Sequence, residues 1–74
     1  MLTWHDLVML EPRLLDLERS IRREGPYDRD VWYKIYKPDL RLLVGFDREK
    51  GPEILQTAEA YDVAYNHLYR LYDR

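Results

Sequence analysis

Residues 57–72 read TAEAYDVAYNHLYRLY, and this stretch decides the fold class. Apolar and aromatic side chains recur in it every three or four residues, which is the period of one face of an α-helix. The spacing is typical of a helix that packs along a neighbouring helix. The predicted seam, with its upstream extension, consists of Ile54, Ala58, Tyr61, Tyr65, Leu68 and Tyr72, with Tyr69 beside it.

This helix is predicted to begin upstream of residue 57. Gly51-Pro52 precedes the seam, and proline is accepted at the first position of a helix. Thr57 is a second cap, because its hydroxyl can accept a hydrogen bond from a free backbone N–H group. We therefore predict a helix near residues 52–73 whose first turn is separate.

The N-terminal third of the chain also predicts helix, near residues 3–24. Thr3 and Asp6 fit a capping box. Pro12 interrupts the pattern that follows, because proline inside a helix removes a hydrogen bond and clashes with the preceding turn. Either one helix kinks near Glu11-Pro12 or a second helix starts there, and Gly25-Pro26 ends the segment. The apolar face consists of Leu7, Leu10, Leu14, Leu17 and Ile21.

Residues 31–46 are consistent with two structures. The β-branched and aromatic residues of segment 31–36 favour a strand, and Lys37-Pro38-Asp39 would be the turn of a hairpin. A helix near residues 29–45 is the alternative, and we prefer it because a lone hairpin is marginal in water.

In the helical alternative, Asp28 or Asp30 is the N-terminal cap, Pro38 starts a second short helix and Gly45 ends it. The residues that would then share one face are Trp32, Ile35, Tyr36, Leu40, Leu43 and Val44.

Length and composition limit the architecture. The chain has 74 residues, of which 46% are hydrophobic and none is cysteine, so we predict one domain over residues 1–74. We expect an all-α bundle of three to four helices with a kink or break near Pro12 and Pro38. The alternative is an α+β fold with a hairpin at 31–46. A core this small is only modestly stable without disulfides or a metal, so we expect a homodimer.

The charge pattern argues against nucleic acid as a partner. The chain carries 12 basic and 14 acidic residues without a basic stripe, whereas binding to nucleic acid depends on neutralising phosphates. The densest basic group, Arg19, Arg22 and Arg23, falls in the last turns of a predicted helix and complements its dipole.

The N-terminus lacks the pattern of a signal peptide, and no segment has the roughly 20 apolar residues of a membrane span. We expect a cytoplasmic protein.

No pattern in the sequence indicates catalytic, cofactor-binding or metal-binding residues. His5 and His67 have no third neighbour with which to form a zinc site, so we interpret them as surface residues. Ser20 has no histidine at a recognisable spacing, and three scattered glycines cannot form a phosphate-binding loop. We expect no enzyme activity and no cofactor.

Tyrosine is the residue type that stands out, with seven copies in the chain. The rings could fill the core, or they could form a contact surface, since tyrosine is enriched at binding hot spots. A platform for stacking nucleobases is a third interpretation that lacks basic flanks. We expect Tyr65 to pack in the core. The candidate core or interface residues are Tyr61, Tyr65, Leu68, Tyr69 and Tyr72.

Residues 2–4 and 10–14, a middle segment and a C-terminal segment carry a resemblance to known sequences. The pattern Lys37-Pro38-x-Leu40-x-x-Leu43-Val44-Gly45-Phe46 is followed by AYDVAY at residues 60–65 and by Leu68-Tyr69-x-Leu71. Together these segments resemble a group of small bacterial proteins to which no activity is attached. The resemblance implies an all-helical fold and carries over no functional residue.

The resulting hypothesis is a non-enzymatic protein-interaction or regulatory module, encoded by a phage or another mobile element. Its partner is another protein or a second copy of the chain. The alternative is a small helical DNA-binding domain that uses its middle helices. A small enzyme would require a deep pocket with converging polar groups.

Overall fold

The computed structural model describes residues 1–24, 28–45 and 53–72, and 85% of these residues are helical. Helix α1 spans Trp4–Leu10 and helix α2 spans Arg13–Glu24. Helix α3 covers residues 29–43, and helix α4 spans Ala58–Tyr72 after a short 3₁₀ turn at Glu53–Gln56. The described residues contain no strand. The all-α prediction is confirmed, and the hairpin alternative at 31–46 is wrong for its described part.

Helix α1 begins with the predicted capping box. The Thr3 hydroxyl accepts a hydrogen bond from the Asp6 N–H at 3.2 Å, and the Asp6 carboxylate accepts one from the Thr3 N–H at 3.0 Å. These two bonds satisfy backbone donors that have no partner within the helix. The start of the helix is therefore determined by residues that are adjacent in sequence.

The chain breaks at Glu11-Pro12, so that α1 and α2 are two helices and not one kinked helix. The Glu11 carboxylate accepts hydrogen bonds from the backbone and side chain of Arg13, the first residue of α2. The prediction that Leu10 belongs to the apolar face is wrong, because its side chain is 41% exposed. Leu10 is the last residue of α1, and the break after it removes it from the face that α2 continues. The buried members of the predicted face are Leu7, Leu14, Leu17 and Ile21.

Helix α3 stays continuous through Pro38 because it contains a wide turn. An Asp28 carboxylate oxygen accepts a hydrogen bond from the Asp30 N–H at 2.9 Å and caps the helix. The segment Trp32–Tyr36 is π-helical, and the Lys37 N–H bonds the carbonyl of Trp32. Proline lacks an N–H and clashes with the carbonyl four residues earlier, and a π turn is a known way to relieve that conflict. The predicted irregularity near Pro38 is therefore this turn and not a break.

The wide turn also decides which residues of α3 are buried. Ile35 was predicted on the apolar face but is 52% exposed, and Leu43 is half-buried. A π turn contains more residues than an α turn, so residues four apart, such as Trp32 and Tyr36, lie on the same face of the helix. Ile35 follows Trp32 by only three residues and therefore lies away from that face. The buried residues are Trp32, Tyr36, Leu40 and Val44.

Gly45 follows the end of α3, as predicted. Its φ angle of +85° lies in the left-handed region that side chains disfavour. A Cβ atom at this position would lie 2.4 Å from the carbonyl oxygen of Leu55. The chain therefore needs glycine here both for the turn and for the close approach of the segment that precedes α4. The predicted terminator Gly25-Pro26 and the predicted first residue Pro52 lie outside the described residues.

Helix α4 is capped by Thr57, whose hydroxyl accepts a hydrogen bond from the Ala60 N–H at 3.1 Å. The helix packs against α1, α2 and α3. Its innermost residues are Ala60, Ala64, Leu68 and Tyr72. The buried face of α4 is therefore rotated about the helix axis relative to the predicted seam. Alanines, and not tyrosines, occupy the two inner positions where neighbouring helices approach. Ala58 is exposed, and the side chain of Ile54 lies outside the described part.

A cluster of three side chains joins α1, α2 and α4. The Trp4 indole stacks on the His67 imidazole, with ring centres 4.2 Å apart and planes 10° apart. The His67 Nε2 atom lies 2.7 Å from a carboxylate oxygen of Glu18, which also faces Arg22 at 3.6 Å. His67 was interpreted as an ordinary surface residue, whereas it is half-buried and connects three helices.

Among the described helices, none combines the length and apolar character that crossing a bilayer requires.

Replacing Gly45 by alanine tests the turn after α3. We expect Gly45→Ala to reduce the free energy of unfolding by about 2 kcal/mol or more, because the left-handed backbone and the contact with Leu55 both penalise a Cβ atom. Urea unfolding followed by circular dichroism measures the change. Arg23→Ala is the control, since its exposed side chain should change stability by less than about 0.5 kcal/mol. Equal midpoints for Gly45→Ala and wild type would contradict the described turn.

Candidate functional site

The five candidate residues on α4 divide into two groups. Leu68 and Tyr72 are buried, with exposures of 0% and 2%, and they belong to the core. Tyr61, Tyr65 and Tyr69 are half-buried and lie on the flank of the core. The two interpretations of the tyrosines, core and contact surface, thus apply to different members of the set. Tyr65, which was expected in the core, lies at its edge.

The three half-buried tyrosines form a ladder along α4. They are spaced by four residues, which places them one above another on a helix. The ring centres of Tyr61 and Tyr65 are 5.7 Å apart, and those of Tyr65 and Tyr69 are 5.5 Å apart with planes only 8° from parallel. Placed at these distances, the rings form an aromatic strip along α4 that is partly open to solvent.

Helix α3 extends this strip with Tyr33, Lys37 and Arg41, again at intervals of four residues. The Lys37 ammonium lies 4.9 Å from the centre of the Tyr33 ring and 5.6 Å from that of the Tyr65 ring. Arg41 is close enough for its charge to act on the Tyr61 hydroxyl. We call this surface the tyrosine face: Tyr33, Lys37, Arg41, Tyr61, Tyr65 and Tyr69.

Trp32 supports the tyrosine face from beneath. Its side chain is completely buried, and its ring meets Tyr65 and Tyr69 edge-on, with centres 5.6 and 5.7 Å away. It also stacks on Tyr72 at 5.8 Å. Edge-on and offset contacts are the arrangements that aromatic rings prefer. The inner sides of the exposed rings are therefore held by a residue of the core, which limits their motion.

Burial shifts the pKa of two hydroxyls of the face, those of Tyr61 and Tyr65. Burial raises the pKa of Tyr65 above the ordinary tyrosine value. Burial also raises the pKa of Tyr61, against the opposing effect of the positive charge on Arg41. Both groups therefore keep their protons to higher pH than an exposed tyrosine, whose ordinary pKa is about 10. The face thus combines apolar rings, neutral hydroxyls and cationic side chains.

An open groove of about 370 Å³ lies between α2 and α3. Ser20 lines it beside Leu17, Leu42 and Leu43, and no histidine is among its lining residues. Leu42 is 65% exposed, so the groove is shallow on that side. In the described residues, no three His, Asp or Glu side chains gather where they could hold a metal ion. The lining of the groove combines three leucines with Ser20 and the charged residues Arg13, Asp16 and Asp39.

Sequence reasoning identified the α4 tyrosines but missed the contribution of α3. Tyr33 was considered only as part of a strand-like segment, and Lys37 as part of a turn or helix start. The spacing of four between Tyr33, Lys37 and Arg41 was the available signal. That spacing becomes informative only when α3 is known to lie beside α4.

Comparisons with protein-family models, with curated proteins and with solved structures found no match. The resemblance to small bacterial proteins therefore stays a prediction. The function is inferred from the geometry of the tyrosine face.

Alanine substitutions separate the core tyrosine from a face tyrosine. We expect Tyr72→Ala to cost about 3–5 kcal/mol, because it removes a completely buried ring and leaves a cavity beside Trp32. Tyr65→Ala removes a half-buried ring, and we expect about half that cost. Urea melts of both variants at matched concentration give the comparison. A larger cost for Tyr65→Ala than for Tyr72→Ala would contradict the described burial.

The raised tyrosine pKa values predict that the folded protein loses stability at alkaline pH. Burial raises the pKa of Tyr61, Tyr65 and Tyr72 in the folded state. The unfolded chain loses these protons near pH 10, whereas the folded chain keeps them to higher pH. Unfolding therefore releases protons in this range, so the free energy of unfolding should fall as pH rises above about 10.

Urea melts between about pH 9 and about pH 11 measure this loss. The absorbance of tyrosinate, titrated with and without denaturing urea, is the control. Some tyrosines of the folded protein should ionise later than those of the unfolded chain. Coincident titration curves would contradict the buried hydroxyls.

Proposed function

We propose that this protein is a non-enzymatic protein-interaction module whose contact surface is the tyrosine face. The observation that carries the proposal is the ladder of Tyr61, Tyr65 and Tyr69, whose adjacent rings lie 5.7 and 5.5 Å apart and are partly open to solvent. Tyrosine is among the residues that contribute most to the energy of protein–protein contacts. An aromatic ladder of this kind provides a large apolar area for contact.

The support from the core makes the face well suited to binding. The edge-on contacts from Trp32 hold Tyr65 and Tyr69 before a partner arrives. A side chain that is already held loses less conformational entropy on binding, so more of the contact energy appears as affinity. A rigid aromatic surface on a short chain also suits a regulator that attaches to a larger assembly. Such regulators are carried by phages and other mobile elements, and we propose this setting for the protein.

A nucleic-acid platform is the second candidate, because Lys37 and Arg41 adjoin rings on which bases could stack. The acidic excess of the chain, 14 residues against 12, weighs against it. A second copy of the chain is a further candidate partner for the same face, as expected from the small core. The three candidate partners have different experimental signatures. Nucleic acid would bind with an affinity that falls as salt rises, a protein partner would be mimicked by a peptide, and a second copy would associate in a way that depends on protein concentration.

Selection of displayed peptides on the immobilised protein tests the proposal. We expect peptides whose addition shifts the NMR signals of the tyrosine face. Tyr33→Ala should weaken their binding by tenfold or more, which corresponds to about 1.4 kcal/mol or more and is typical of an aromatic hot-spot residue. Ile35→Ala is the matched control, since Ile35 is similarly exposed on α3 but lies outside the face. Both variants should keep wild-type stability to within about 0.5 kcal/mol.

Three outcomes would overturn the proposal. The selected peptides could bind the α2–α3 groove, or Ile35→Ala could weaken binding as much as Tyr33→Ala. The third is binding of a single-stranded oligonucleotide to the face with a steep loss of affinity as salt rises, which would favour the second candidate. Sedimentation at increasing concentration shows whether a second copy competes with the peptides.

A further inference from the structure

We infer that the partner presents a carboxylate to Lys37, so that the tyrosine face recognises an acidic side chain flanked by apolar residues. This inference rests on the proposed function of the face. The juxtaposition that carries it is one ammonium group held between the rings of Tyr33 and Tyr65. The partner class is therefore a protein segment with an aspartate or glutamate at its centre.

Lys37 differs from the other cations that the structure pairs. The salt bridges among the described residues involve Arg13, Arg19, Arg22 and His67, each with a carboxylate. In the described part of the chain Lys37 has ring contacts but no carboxylate within salt-bridge distance. Its side chain is half-buried. A cation–π contact attracts the ammonium but does not neutralise its charge.

A partner that covers the tyrosine face also covers the charge of Lys37. Covering Lys37 removes water from an ammonium that is already half-buried. Burying an unpaired charge is costly, whereas burying it beside an opposite charge can be offset by their attraction. The rings on both sides limit how far the ammonium can move away to solvent. A complementary partner therefore places an anionic group above Lys37.

The surrounding charges favour a single carboxylate over a chain of phosphates. At the Tyr61 end of the face, the charges of Arg41 and Asp62 both reach the tyrosine hydroxyl and oppose each other. This end therefore carries no unbalanced positive charge from the pair. A polyanion that ran along the face would meet Asp62 there.

Acidic charges also act near the opposite end of the face. The hydroxyl of Tyr72, whose ring adjoins that of Tyr69, feels the charges of Asp28 and Asp30, opposed by Arg29. Lys37, at the centre of the face, is the cation that lies between two of its rings. One acidic side chain between apolar neighbours matches this arrangement, and a run of phosphates does not.

The experiment uses the tightest-binding peptide selected on the wild-type protein. We expect this peptide to contain an aspartate or glutamate, and Lys37→Glu to weaken its binding by about tenfold or more. Lys37→Gln should have a smaller effect in the same direction. Lys34→Gln is the control, because it removes the same charge from the same helix and makes no described contact with a tyrosine ring. The melting of all three variants shows whether they fold as the wild type does.

A charge swap separates recognition from a general effect of charge. Replacing the acidic residue of the peptide by lysine should abolish binding to the wild type and restore it to the Lys37→Glu variant. If the peptide needs Tyr33 but binds Lys37→Glu as well as wild type, this inference is overturned while the proposed function stands. If no selected peptide depends on Tyr33, the proposed function fails and this inference fails with it.

Discussion

The burial of Trp32 is the constraint on which the rest of the structure depends. Its indole is completely enclosed and contacts four tyrosine rings, one from α3 and three from α4. A ring of this size can be enclosed only when both helices are in place, because neither covers it alone. Two of the four rings, Tyr65 and Tyr69, also belong to the tyrosine face. The packing that closes the core therefore also positions the proposed contact surface.

The wide turn in α3 makes this arrangement compatible with Pro38. Trp32 and Tyr36 begin and end the π-helical segment, and both side chains are buried. The Tyr36 hydroxyl donates a hydrogen bond to Glu24 at the end of α2, which ties the turn to a second helix. If Pro38 had ended the helix, the chain after it could have left the direction set by Trp32. The turn instead keeps Lys37 and Arg41, on either side of Pro38, on one continuous helix beside α4.

The sequence predicted the helices well because their signals are local, and it predicted buried faces less well because those depend on contacts between helices. Thr3 and Thr57 cap helices through residues three positions away, so their roles could be read directly. Leu10 and Ile35 were misplaced by the break at Pro12 and by the π turn, whose form no periodicity reveals. The same reason explains why Tyr61, Tyr65 and Tyr69 were candidates while Lys37 was missed. Its position between two rings requires α3 and α4 to lie side by side.

The order of residues on α4 separates the core from the proposed contact surface. Ala60 and Ala64 occupy the inner positions, while the adjacent Tyr61 and Tyr65 lie on the flank. Small inner side chains let the neighbouring helices approach α4 closely, and the larger rings then cover the edge of the core. An aliphatic side chain could cover that edge without a hydroxyl. Tyrosine adds a polar group at the rim and a ring face to which Lys37 binds. The face thus has chemistry that covering the core does not require.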